Sequence, residues 1–215
     1  MKRAGCGRTA VMVLGIVILG LGISLFKLSA LGNDPSSAMV MAIGERIHIA
    51  FAPTLLAANC LWFAAEWKWG RHYIGLGTLV NWFGVGYIST FFTGILNRLV
   101  DAPQGMDQKL AVMAAGLLVL SLAASMYQTA DLGIAPYDSL ALMLRDHFPV
   151  KYFWCRICTD CICVIVCLAF GGLAGFGTLV CSLGLGPFIH FFNIHVSEKL
   201  ISCLDGRAVS GSAEQ

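Results

Sequence analysis

Long apolar stretches recur along the whole chain, and they decide what it can fold into. They occupy residues 9–29, 47–67, 73–96, 110–130, 152–171 and 173–196. Each matches the roughly 20 helical residues needed to cross a hydrocarbon core about 30 Å thick. In lipid every backbone N–H and C=O must be paired inside the protein, which a helix achieves on its own. The sequence lacks the alternating segments of about ten residues that mark a membrane barrel. The expected fold is all-α: a polytopic transmembrane helix bundle whose first partner is the lipid bilayer.

Composition agrees. Of 215 residues, 58% are hydrophobic and 12% charged, against about 25% charged in soluble domains. A soluble monomer this apolar would expose large greasy patches. The net charge of +2 gives no basis for a nucleic-acid partner. Lys2, Arg3 and Arg8 followed by an apolar run imitate a signal peptide, with Ala30 in the place of a cleavage residue. An internal repeat argues instead for a retained first helix.

That repeat is legible without gaps. Gly75, Gly77, Thr78, Leu79, Val80, Gly84, Gly86, Phe91 and Phe92 recur as Gly175, Gly177, Thr178, Leu179, Val180, Gly184, Gly186, Phe191 and Phe192. A second match pairs Leu-Gly-Asn-Asp-Pro at 31–35 with Leu-Gly-Ile-Ala-Pro at 132–136, with Ser24 and Ser125 aligned upstream. Each half reads as a long helix, a Leu-Gly-x-x-Pro turn, a short helix, a long helix and a Gly-rich long helix. The boundaries are a basic amino terminus at 1–8, a first membrane repeat at 9–97, a linker at 98–109, a second repeat at 110–196 and a polar tail at 197–215. The tail beyond residue 206 reads as disordered.

The turn has a physical basis. Gly32 and Gly133 can take the positive φ that ends a helix, and Pro35 and Pro136 suit the first position of the next one. Asp34 sits at an N-cap position. Asp138 falls in the first turn of its helix, where it can face the helix dipole. The short helices, 35–43 and 136–144, rise only about 13 Å, under half of the hydrocarbon core. If they stop partway, six helices span the membrane, two half-helices accompany them, and the repeats are inverted. If they cross, the repeats are parallel with four crossings each. Length favours six. Lys and Arg counting puts both termini in the cytoplasm under either arrangement and does not choose between them.

Few side chains suggest chemistry. Gly77, Gly84, Gly177 and Gly184 have the small-residue spacing that lets helices approach closely. Asn81 sits mid-helix, where facing lipid would be costly; it serves either an interhelical hydrogen bond or a polar pathway. Its repeat partner is Cys181. Lys27, near a helix end, can snorkel to the surface. Arg156 and Asp160 share a helix face and can pair. The cysteines at 155, 158, 161, 163 and 167 wind around one apolar helix, which rarely supplies a closed metal site, so packing is the reading. The sequence contains no Ser-His-Asp set, catalytic carboxylate pair or His-rich metal motif. No enzyme activity, catalytic residue, cofactor or resident metal is therefore expected.

The Leu-Gly-x-x-Pro-Tyr-Asp run at 132–138, with Gly-x-Gly-Thr-x-x-Asn at 75–81, resembles the YczE/YyaS/YitT group of bacterial integral membrane proteins over residues 10–196. The resemblance implies several membrane helices, a duplicated unit and the bacterial cytoplasmic membrane, and it implies no particular substrate. The first repeat departs from the pattern: Asn33-Asp-Pro-Ser-Ser37 lacks the aromatic-Asp pair seen at Tyr137 and Asp138.

Duplicated halves with interrupted helices place a site at half-helix N-termini near the midplane. The expectation is a permease-like protein for a small polar solute, bound by Asn33, Asp34, Ser36, Ser37, Asn81, Tyr137 and Asp138. The free N–H groups there suit an anion, and the two aspartates leave a cation or zwitterion open. A different class fits too: a non-transporting accessory or scaffold protein, with a membrane-protein partner or a second copy of itself. A thiol or metal enzyme would rest only on the cysteines.

Overall fold

Helices account for nearly all of the backbone that the computed structural model describes, residues 5–172 and 175–204. The basic pair Lys2 and Arg3, Leu173, and the tail from 205 onward lie outside the described residues. In chain order the helices are α1 (Cys6–Ser29), α2 (Pro35–Ile47), α3 (Phe51–Trp69), α4 (Leu76–Leu99), α5 (Met106–Thr129), α6 (Pro136–His147), α7 (Tyr152–Ala169) and α8 (Phe176–Phe192). A π turn, Asn193–Ser197, then leads into α9 (Glu198–Leu204). Five spans, α1, α4, α5, α7 and α8 continued through α9, are long and apolar enough to cross a membrane, and α2 with α3 makes up to six. The chain is a polytopic membrane helix bundle.

Helices α2 and α3 meet at a bend of 116°, where His48 takes the left-handed conformation (φ 56°). The short helices are longer than the sequence suggests, with 13 residues in α2 and 12 in α6. Both continue through charged residues, Glu45-Arg46 and Arg145-Asp146, because their ends are exposed and those side chains are solvated. At 1.5 Å per residue they still rise only about 20 Å.

Helix directions follow from the contacts. A Cβ on Gly15 would meet Tyr127, one on Gly22 would meet Leu120, and one on Gly116 would meet Phe26. Positions therefore rise on α1 as they fall on α5, and the two helices are antiparallel. Helices α1 and α4 are parallel: Met12 lies against Gly77, Gly20 against Ile88, and Ser24 Oγ donates to the Ser89 carbonyl at 2.8 Å. Helix α3 runs against α4, with Ala52 at Gly86 and Trp82 Nε1 donating to the Leu56 carbonyl at 3.1 Å. Gly7 meets Leu204, and Arg8 Nη1 donates to the Ala130 carbonyl. The start of α1 and the end of α9 thus share one end of the bundle.

Two turns lock into two helix starts in the same way. The Leu31 carbonyl accepts from Gly177 N at 2.8 Å, and the Leu132 carbonyl accepts from Gly77 N at 2.9 Å. Gly32 and Gly133 both have φ +119°, a conformation that L side chains rarely adopt. A Cβ on Gly177 would lie 3.0 Å from the Leu31 oxygen, and one on Gly77 would lie 2.6 Å from the Gly133 oxygen. Gly84 and Gly184 do not act as expected. Their nearest neighbours are at 3.5 Å, an ordinary contact distance; the close mid-helix approaches are made instead at Gly15, Gly20, Gly22 and Gly86.

At the terminal end, outside the crossing helices, Tyr73 donates to Asp146 Oδ2 at 2.6 Å and Arg145 pairs with Asp146 at 3.0 Å. The Tyr73 hydrogen bond, helped by Arg145, holds the Asp146 carboxyl below its usual 3.8. That contribution is present above pH 3.8 and is lost as pH falls through the lower folded value.

Candidate functional site

Helices α2 and α6 begin in the middle of the protein, and both starts line one small cavity of about 80 Å³. Asp34, Ser36 and Ser37 come from the first, and Ala135, Tyr137 and Asp138 from the second. Asn59 of α3, Asn81 of α4, Gln128 of α5 and Arg156 of α7 add polar groups, set among leucines and isoleucines of α1, α3, α5 and α8. A few placed polar groups on an apolar wall are the usual make-up of a small-molecule site.

Asp34 caps α2 as expected: its Oδ2 accepts from Ser37 N at 3.0 Å. Its Oδ1 is buried without a hydrogen-bond partner. Asn81 is 3% exposed, and its Nδ2 also lacks a partner. Buried polar atoms are nearly always satisfied, so two orphans on one cavity wall mark a place where something polar belongs.

Asp138 does not serve the helix dipole alone. Arg156 Nη1 donates to its Oδ1 at 2.6 Å, and Tyr127 donates to its Oδ2. Arg156 Nε lies 3.3 Å from Asp160 Oδ1, which also accepts from Tyr137. The guanidinium stands 5.0 Å from the Tyr137 ring centre. The pairing of Arg156 with Asp160 was legible from their spacing of four. The third partner, eighteen residues upstream on another helix, was not.

Of the expected site residues, Asp34, Ser36, Ser37, Asn81, Tyr137 and Asp138 converge here. Asn33 does not. Its Oδ1 accepts from Asp34 N, its Nδ2 reaches Met41, and its backbone N–H donates to Thr178 Oγ1. It lines a separate pocket of about 370 Å³ toward the far end, with Glu45 and Lys27. Lys27 is not snorkelling outward: its Nζ donates to Ser89 Oγ at 3.4 Å and lies 3.4 Å from the Phe51 ring centre.

A larger vestibule of about 620 Å³ opens toward the terminal end, lined by Arg145, Tyr152, Ser182, His190 and Asn193. Gln128, Asp138, Arg156 and Ile189 line both it and the central cavity. The far pocket shares no lining residue with the cavity.

One family profile matches residues 6–194, nearly the whole bundle from α1 into the π turn. The chain belongs to DUF6198, a family of unknown function. It is similar to an uncharacterized protein of Haemophilus influenzae, 24% identical over 183 residues, covering 85% of this chain and 82% of that one. It is also similar to two Bacillus subtilis proteins at 24% identity. These are the uncharacterized membrane protein YczE (82% of this chain, 81% of the relative) and the uncharacterized protein YyaS (88% and 94%). No solved structure matches.

In this DUF6198 member, two buried groups escaped the sequence reading. Glu66 of α3 is fully buried beside Ser139, whose hydroxyl donates instead to the Pro136 carbonyl at 2.9 Å. Its flanking residues, Trp67, Lys68 and Trp69, read as an interfacial end and hid it. Tyr127 is fully buried on Asp138, and nothing in the local α5 pattern distinguishes it from a packing aromatic. The cysteines follow the helix period: Cys155, Cys163 and Cys167 are buried, while Cys158 and Cys161 are exposed. Among the described residues, no cluster of three His, Cys, Asp or Glu is placed to hold a metal.

Proposed function

We propose that the protein is a small permease-like carrier of a polar solute, built from two inverted halves around the central cavity. The observation that carries this reading is the convergence of two half-helix N-termini, one from each half, on a cavity with unsatisfied buried polar groups. Interrupted helices meeting at midplane depth are the arrangement by which many secondary transporters bind solute. Inversion is supported by the antiparallel run of α1 and α5 and by the reciprocal locking of the two turns.

In this reading the vestibule is the open access route and the far pocket lies behind a closed gate. Alternating access would exchange them by rocking one half against the other. The terminal end faces the cytoplasm of a bacterial cell, in keeping with the excess of Lys and Arg on that side.

Two measurements test it. Reconstituted in liposomes, the protein should raise uptake of at least one member of a panel of small polar metabolites above that of empty vesicles. Absence of any flux, with folded protein in the vesicles, would return the accessory-protein reading. Single cysteines at Glu45→Cys and Arg145→Cys, with the exposed native cysteines replaced, should label from opposite faces of intact cells. Labelling from the same face would refute inversion.

A further inference from the structure

The two ends of the central cavity differ in charge preference. On the α2 side stands Asp34. An N-cap needs one acceptor oxygen and no charge, and Ser or Asn would serve equally well. Here the capping oxygen is Oδ2, and Oδ1 is buried and unpaired. Among the described residues no cationic side chain pairs with Asp34. The nearby guanidinium of Arg156 is already committed to Asp138 and Asp160. Cys181 occupies the position on α8 that Asn81 occupies on α4, and it is fully buried. The α2 side therefore offers a buried carboxyl oxygen with no hydrogen-bond donor or ion-pair partner, Lys27 acting on Asp34 only from a distance.

The α6 side is the opposite. No side chain caps α6, whose N-cap is Ala135. The N–H groups of Tyr137 and Asp138, in its first turn, have no intrahelical acceptor, and the positive end of the helix dipole lies there. The Asp138 side chain is spent on Arg156 and Tyr127. Asn81 stands one turn beyond Thr78 on α4, and Thr78 Oγ1 would lie 2.8 Å from a Cβ on Gly133 in the turn leading into α6. Its Nδ2 is a buried donor without an acceptor.

We propose that the cavity takes the head group of a small zwitterionic amine. Its ammonium sits on the free oxygen of Asp34, and its carboxylate on Asn81 Nδ2 and the first-turn N–H groups of α6. The volume of about 80 Å³ is roughly half that of a cavity known to hold benzene, so only a head group fits. Any longer part extends past Gln128 and Ile189 into the vestibule, which shares these residues with the cavity. The inference rests on reading the cavity as a solute site, and not on whether the solute is moved across the membrane.

Calorimetric titration of the full chain in lipid nanodiscs tests it, with glycine, ethylammonium and acetate as probes. Glycine should bind most tightly, ethylammonium more weakly, and acetate not measurably. Asp34→Asn keeps the cap, so the melting temperature should hold while glycine affinity falls at least about tenfold, as for loss of a charge-assisted hydrogen bond. Asn81→Leu should weaken glycine and leave ethylammonium unchanged. The proposal is overturned if ethylammonium or acetate binds as tightly as glycine, if Asp34→Asn leaves glycine affinity intact, or if none of the three binds. Flux of an unrelated solute without glycine binding would sink this inference alone. Glycine binding without flux would sink the carrier reading alone.

Discussion

Replacing Arg156 with methionine is expected to destabilise the protein by about 3–5 kcal/mol, the usual consequence of removing one partner from a buried ion pair. Arg156 and Asp138 are 13% and 16% exposed, and Asp160 is 2% exposed. The guanidinium is the partner of both carboxylates. Without it, Asp138 would keep only the Tyr127 hydrogen bond and Asp160 only that of Tyr137. The sign of the effect reverses if the charges leave together. In the triple variant Arg156→Met, Asp138→Asn, Asp160→Asn, most of the lost stability should return, because an apolar replacement for a buried ionic group is often neutral. Unfolding in mixed micelles measures both. A single variant as stable as the parent would show that the carboxylates have another partner.

Gly133→Ala is the second large effect, with an expected loss of about 2–6 kcal/mol. About 1–3 kcal/mol comes from holding a non-glycine residue in a sparsely populated backbone region, here φ +119°. A further 1–3 kcal/mol, roughly, comes from overpacking. The new Cβ would lie 2.7 Å from Gly75 Cα and N, which are backbone atoms and cannot swing away. Gly32→Ala should behave alike, since its Cβ would meet Thr178 N at 2.9 Å. Gly94→Ala is the control: it lies inside α4 with nothing within 4 Å and should change stability by no more than about 1 kcal/mol. Equal tolerance at Gly133 and Gly94 would mean that the turns do not lock the halves.

The Leu-Gly-x-x-Pro turns were legible because their requirements are local. A positive φ needs glycine, and a helix start admits proline. Asp34 as a cap was legible for the same reason. The role of Asp138 was read as local, a carboxylate at a helix start. Its actual partners lie on α5 and α7, and residue types do not announce a partner eighteen positions away. Asn33 was grouped with the site because it neighbours Asp34 in sequence. Its side chain is held by its own turn and by Met41, which directs it to the other pocket. Gly84 and Gly184 fit a small-residue pattern, yet at these two positions a Cβ would meet only side-chain tips.

By itself, the sequence determined that this chain lives in a membrane, that helices are its only practical means of crossing, and where most of those helices begin and end. Hydrophobic length and backbone hydrogen bonding leave no other solution, and both are properties of consecutive residues. By length it also favoured two short helices that do not cross by themselves, with the crossing arrangement left open. Only the tertiary structure decided that α1 and α5 run antiparallel, that the starts of α2 and α6 meet at one cavity, and that Asp34 and Asn81 are left unsatisfied there. Charge counting could not choose the direction of the second half, because the competing arrangements place similar numbers of Lys and Arg on each side. Packing set the antiparallel run of α1 against α5, through the close contacts at Gly15, Gly22 and Gly116.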